Sequence, residues 1–231
     1  MARPKGYILH QDSDRVIIAT LKSANRKTGN MIQVWILAAA VSPVDAVKSG
    51  LDSLICGNCP HRGDLTVGRK RSCYVNVGQA PQQVWKSWKA GKYSPLEISQ
   101  FADVFKGRAI RLGAYGDPVH IPQTILAELC RVTVKHTGYT HQWLTSDWLR
   151  PYVMASCDTA NDYTQAQAQG WRSFRVAAEN DIALDNEILC LSESRGKACV
   201  TCGLCNGAGK AKNIFIPVHG SGASNAFTIL Q

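Results

Sequence analysis

The chain has 231 residues and 25.2 kDa, 45% hydrophobic and 19% charged, which is enough for a full globular core and too apolar for a disordered tail. Its longest apolar run, Val34 to Val41, is eight residues against the roughly 20 that a membrane span needs, and the stretch after Met1 is too short for a secretory signal. Twenty-six Lys and Arg against seventeen Asp and Glu leave a formal charge of +9, so the expected partner is anionic, nucleic acid or another phosphate-bearing ligand, and not a membrane.

Residues 1–30 carry six basic side chains against Asp12 and Asp14, and residues 62–92 carry seven against Asp64. Between and around these basic stretches, Val16 to Leu21 and Met31 to Leu37 are β-branched and aromatic and predict two strands joined by a turn-rich loop. Pro43 to Gly50 reads as a short helix with Pro at its start and Gly at its end. After a cysteine-bearing loop, Ala80 to Gly91 and Leu96 to Lys106 have helical apolar spacing. The pattern then alternates: strand Ala109 to Ala114, helix Pro122 to Lys135, strand Tyr139 to Trp143, a helical turn Ser146 to Leu149, strand Tyr152 to Cys157, helix Ala160 to Gln169, and strands Trp171 to Val176 and Ile214 to Val218.

No fixed-period repeat and no linker divides the chain, so residues 1–231 are expected to form a single α/β domain. Strands separated by helices argue for βαβ units with parallel pairing. Six such units are too few for a closed eight-fold barrel. That leaves a partial (βα)6 TIM-like barrel, the reading preferred here, or an open doubly wound sheet. Both gather chemistry at the carboxyl ends of the strands.

Nine cysteines in a reducing compartment more often hold metal than form disulfides. The strongest pattern is Cys199-Val-Thr-Cys202-Gly-Leu-Cys205 with Cys190 upstream, making residues 190–205 a cysteine-rich metal-binding loop. Three thiolates at intervals of three wrap one centre and a fourth completes a [4Fe–4S] cubane, whereas zinc, the alternative, draws knuckles from separated segments. The second set lies in the loop 56–73: Cys56-Gly-Asn-Cys59-Pro-His61-Arg62, then Ser72-Cys73-Tyr74. Its three thiolates leave one position open to His61 or to a substrate. Cys190 could instead join this first set. Cys130 and Cys157 read as packed small hydrophobes.

Asp117, Asp158 and His219 follow predicted strands and are the candidate catalytic residues at the productive edge. Asp158 is equally placed to cap the next helix, and Asp117 to form a turn. Gly207-Ala-Gly209-Lys210 lacks the spacing and the Ser or Thr of a phosphate-binding loop.

The order of strand, cysteine loop ending in Cys73-Tyr74, helix and further βα units resembles the radical S-adenosylmethionine enzymes. Their core is a six-unit partial barrel with a three-cysteine cluster after the first strand. The usual spacing there is C-x3-C-x2-C, and here it is C-x2-C-x13-C. The resemblance implies a [4Fe–4S] cluster on Cys56, Cys59 and Cys73, and S-adenosylmethionine as a cofactor. Segments such as Cys56-Gly-Asn-Cys59-Pro-His61-Arg62-Gly63 and Arg111-Leu-Gly-Ala-Tyr-Gly-Asp117 also resemble cysteine-rich proteins common in bacteriophage genomes, which implies a bacterial host cytoplasm. The expected function is an iron–sulfur protein with one or two clusters, of radical or redox type. The alternative is a zinc-stabilised nucleic-acid-binding protein without catalysis, with Trp85 and Trp88 of the basic 62–92 segment stacking on bases.

Overall fold

The computed structural model describes residues 4–229 except 208, 221, 227 and 228. In chain order the strands are β1 (Gly6–Gln11), β2 (Arg15–Thr20), β3 (Ile32–Ala38), β4 (Ser94–Pro95), β5 (Ala109–Tyr115), β6 (Lys135–Thr137), β7 (Tyr139–Thr140), β8 (Met154–Cys157), β9 (Ser173–Ala177), β10 (Glu187–Leu189) and β11 (Asn213–Pro217). The α-helices are α1 (Pro43–Ser49), α2 (Ser53–Cys56), α3 (Ala80–Lys89), α4 (Phe101–Phe105), α5 (Gln123–Val132), α6 (Ala160–Ala168), α7 (Leu191–Arg195) and α8 (Cys199–Cys202). No helix among the described residues is long and apolar enough to cross a membrane.

The strands form two sheets, ordered β4-β1-β2-β3-β5-β6 and β10-β11-β9-β8-β7. β3, β5 and β6 pair in parallel, as do all five strands of the second sheet. β3 is buried along its whole length, which is what a continuous apolar run does when both faces of a parallel strand are covered. β1 and β2 extend that sheet as an antiparallel ribbon.

The sheets meet at Gly138, the one residue between β6 and β7. Its amide donates to Cys205 O at 3.0 Å and its carbonyl accepts from Met154 N at 3.0 Å. A Cβ there would sit 2.7 Å from Val153 Cγ1, so the crossing point tolerates no side chain. The chain is thus a mixed α/β protein whose parallel strands run side by side from β3 and β5 through the Gly138 junction to β8, β9 and β11.

Most predicted elements stand within a residue or two of their observed ends. Leu96 to Lys106 does not form one helix. Leu96 N donates to Ile8 O, β4 pairs with β1, and only the 3₁₀ turn Ile98–Gln100 and α4 are helical. The predicted helix to Lys135 stops at Val132, where Thr133 Oγ1 bonds back to Leu129 O at 2.7 Å and Val134 N turns to Arg108 O. Tyr139 to Trp143 is strand only as far as Thr140. β1 and β10, three to six residues each, carry too little pattern to stand out in the sequence.

Candidate metal centre

All nine cysteines are free thiols. Cys56 ends α2, and Cys59 N bonds back to Cys56 O at 3.2 Å. The thirteen residues before Cys73 leave and return. Asp64 and Arg69 exchange backbone hydrogen bonds of 2.7 and 2.8 Å at the neck of a small hairpin, and the amides of Ser72 and Cys73 both donate to His61 O, at 3.0 and 2.9 Å. The long sequence gap therefore closes in space and sets Cys73 beside Cys59. Burial pushes the Cys56 thiol well up, and Cys59 and Cys73 push it further. The Cys73 thiol is also raised, by burial first, with Arg71 opposing and Cys59 adding. Thiols that oppose one another's ionisation ionise together only around a cation.

The Tyr115 hydroxyl lies against the same set. It is buried, has no hydrogen-bond partner among the described residues, and is raised by burial and then by Cys56, with Cys73 adding further. An orphaned O–H donor beside Cys56 and Cys73 fits an anionic sulfur centre.

A polar network stands behind the set. His61 Nε2 lies 2.8 Å from Asp158 Oδ1, and His61 Nδ1 lies 2.7 Å from Ser72 Oγ. His141 Nε2 lies 3.3 Å from Asp158 Oδ2. These two imidazoles and the carboxylate are the one trio of His, Cys, Asp or Glu ligand atoms among the described residues that all lie within 4.8 Å of one another. Burial alone would lower the pKa of His141, but the Cys59 sulfur and then Asp158 hold it well above the usual imidazole value. Burial likewise opposes ionisation of Asp158, yet His141 and His61 hold its carboxyl well below the usual range. Asp158 does not cap α6. Thr159 does, accepting from Asp162 N at 3.0 Å in a reciprocal capping box, and this leaves the Asp158 carboxylate to the histidines.

Asp117 also reaches the cavity, with its oxygens occupied. Oδ1 accepts from Val119 N at 3.0 Å and Thr140 Oγ1 at 2.8 Å, and Oδ2 accepts from His141 N at 3.0 Å. Asp117 thus pins the ends of β5 and β7 together. Burial raises its pKa, with these hydrogen bonds opposing.

The second set hangs on different supports. Cys190 precedes α7, Cys199 and Cys202 bound α8, and Cys205 follows. The amides of Cys199 and Val200 donate to Lys27 O and Thr28 O, at 2.8 and 3.1 Å, and the Lys27 ammonium pairs with Glu193. The Arg172 guanidinium clamps the chain after Cys205 through Asn206 O, Asn206 Oδ1, Ala211 O and Lys212 O, at 2.6 to 3.1 Å. Gly207 packs so closely that a Cβ would lie 2.2 Å from Arg150 O. This close approach is why glycine stands there, in a segment whose glycines resemble a phosphate loop.

Burial pushes the Cys205 thiol up to about 12, with Cys190, Cys199 and Cys202 adding to it and a Tyr139 hydrogen bond opposing. Cys199 is raised by burial, lowered by Arg111, and raised by Cys190 and Cys202. Cys190 thus sits among the C-terminal cysteines.

Both sets open onto one cavity of about 390 Å³. Cys56, Cys59, Cys73, Cys190, Cys199, Cys202 and Cys205 all line it, as do His61, Asp117 and His219. Asp158 joins through His61. Cys157 is fully buried, and Cys130 is packed against the core with its thiol pushed up to about 12 by burial. Trp85 and Trp88 pack against the core too, Trp85 Nε1 donating to Ala38 O at 3.0 Å and the Lys89 ammonium lying over both rings.

Sequence reasoning missed His141, Arg111, Ser72 and Tyr115. His141 lies one residue past β7, the same strand-end signal that marked Asp117, and was hidden by extending that strand to Trp143. The site is defined by seven thiols in two groups: Cys56, Cys59 and Cys73 in the loop that follows β3 and α1, and Cys190, Cys199, Cys202 and Cys205 in a segment tied to residues 27–28 and to Gly138. No protein-family model, curated protein or solved structure matches the chain.

Proposed function

We propose that this chain is an iron–sulfur protein of redox or radical type, with two cysteine-ligated centres facing one cavity. The observation that carries the reading is the convergence of seven thiols, as sets of three and four, on that cavity. Cys56, Cys59 and Cys73 would hold one [4Fe–4S] cluster, and Cys190, Cys199, Cys202 and Cys205 a second. A cluster with three thiolates keeps one iron for another ligand, and when bound it supplies an electron to a substrate or to a sulfonium cofactor such as S-adenosylmethionine.

The support for iron–sulfur over zinc is the C-x2-C-x2-C run Cys199, Cys202 and Cys205 with Cys190 upstream: three thiolates at intervals of three suit a cubane, whereas zinc draws knuckles from separated segments.

The protein's own groups do the rest. The Tyr115 hydroxyl would be free to donate a hydrogen bond to the sulfur side of the first centre. Asp158 pairs with His141 at 3.3 Å and holds His61 Nε2 in a fixed orientation. His219 lines the cavity and stacks on Tyr74, ring centroids 5.8 Å apart. The parallel run from β3 through β11 would form the wall of a partial barrel, as the resemblance to radical S-adenosylmethionine enzymes implies. A phage gene expressed in a bacterial cytoplasm is the setting in keeping with that reading.

Metal and sulfide analysis of anaerobically purified protein tests this. The expected result is a brown protein with about eight iron and eight sulfide per chain, falling to about four of each in Cys73→Ala. A colourless, zinc-loaded chain without sulfide contradicts it and favours the zinc-stabilised alternative.

A further inference from the structure

A second and larger concavity, about 1300 Å³, runs from the N-terminal ribbon to the cluster cavity. The two share Asn25, Tyr74, Val75, Arg111 and Ala114, so they lie side by side with these residues at their boundary. Its charge is one-sided: Lys5, Lys22, Arg108 and Arg111 line it against the single carboxylate of Asp103. Leu21 ties two of these residues together: its amide donates to the Lys5 backbone carbonyl at 2.9 Å and its carbonyl accepts from Arg108 Nη2 at 2.6 Å. Arg111 lies three residues further along the chain from Arg108, about 10 Å at the rise of an extended strand. It donates from Nη2 to Tyr74 Oη at 2.5 Å.

The remaining walls are aromatic and amide. Tyr7, Tyr93 and Tyr74 contribute to the lining; Tyr7 and Tyr93 are partly packed against the core, and Tyr74 is 48% exposed where the two cavities adjoin. Asn30, Asn76 and Gln79 add side-chain amides, which pair with base edges as donors and acceptors at once. Cations spaced along a channel bind phosphates, and intervening rings stack on unpaired bases. A duplex hides its base faces from such rings. An acidic peptide would use the cations and leave the aromatic and amide walls without a role.

We infer that this groove binds single-stranded nucleic acid and delivers a nucleotide past Tyr74 to the cysteine-lined cavity. The inference deepens the iron–sulfur reading by naming its substrate class, and its delivery step rests on that reading. The binding step stands on the groove alone. Residues between 74 and 84 of the basic 62–92 segment share in the lining, but the basic side chains of that segment do not: Lys70 and Lys86 are exposed and lie outside it.

The test is fluorescence anisotropy of the full chain, as purified, with a labelled 12-nucleotide RNA, the matching DNA and its duplex, over a series of KCl concentrations. Iron and sulfide are measured on the same samples. The expected result is tighter binding of a single strand than of duplex, weakening linearly in log–log salt. The double variant Lys5→Glu with Lys22→Glu should weaken binding at least tenfold at about 100 mM salt and reduce the salt slope by about 1.4, two phosphate contacts at roughly 0.7 each. The control Lys70→Glu with Lys86→Glu, matched in charge, should bind within about twofold of the unaltered chain. Equal weakening by both pairs, no binding of a single strand, or full competition by polyglutamate would overturn the inference, the last favouring an acidic peptide. Groove-dependent binding by a chain without iron would uphold the binding site while contradicting the cluster reading, so the two failures are separable.

Discussion

The two cysteine loops reach the same cavity by opposite means. The first, residues 56–73, is held by its own backbone, closing on His61 O, and by a buried network of two imidazoles and one carboxylate. The second, residues 190–205, folds locally into the short helices α7 and α8 but is fastened to the rest of the molecule by distant clamps: Arg172, Arg175 and the backbone of residues 27–28. Arg175 illustrates the difference. It is buried in β9, pairs with Glu187 of β10 at 2.9 Å and with Asp181 at 2.9 Å, and so fixes the strand that leads into Cys190. A loop organised locally depends on its immediate neighbours, and a loop organised remotely fails when a clamp far from the metal is cut.

The largest effect should come from cutting a clamp. Glu187→Gln leaves the Arg175 guanidinium buried with its main counter-charge gone. It should cost about 3–5 kcal/mol in denaturant unfolding and strip iron from the C-terminal set first. Loss from both sets together would contradict the division between the loops.

Asp158→Asn is the complementary cut. It keeps the shape and removes the charge from bonds to His61 and His141, at an expected cost of about 1.5–3 kcal/mol, with iron lost from the first set and kept by the second. Thr159→Ala sharpens that result. Removing the cap of α6 should cost about 1 kcal/mol and leave iron content unchanged, because Thr159 touches the helix and not the histidines.

The smallest effect is acid sensitivity on the first loop's side. His120, in the turn after Asp117, is lowered by burial to about 4, and its Nε2 has no hydrogen-bond partner among the described residues. The unfolded chain takes up this proton near pH 6.5. The contribution of neutral His120 is therefore full above that pH and is lost as pH falls toward 4. His120→Gln should flatten the dependence of the urea midpoint on pH across that window, and an unchanged slope would contradict it.

Local signals wrote much of this into the sequence. β3 announced itself by β-branched and aromatic residues, α1 by Pro43 and Gly50, and the C-terminal cysteines by their spacing. The two thiol sets were legible for the same reason, since each lies on a short segment. What the sequence hid depended on distant partners. The return of Cys73 to Cys59 needs the Asp64–Arg69 neck. The freedom of Asp158 depends on Thr159 taking the cap. The groove beside the cavity is assembled from residues more than a hundred positions apart, Lys5 and Arg111 among them, with no common motif. Arg172 and Arg175 lie in the predicted strand Trp171 to Val176 with nothing local to mark them as the clamps of the second loop.

The most direct test of two centres facing one cavity is electron paramagnetic resonance of the dithionite-reduced protein, compared with Cys73→Ala. The account predicts two overlapping cluster signals broadened by mutual spin coupling, simplifying to a single sharp signal in the variant. Identical spectra from both proteins, or no cluster signal from either, would contradict it.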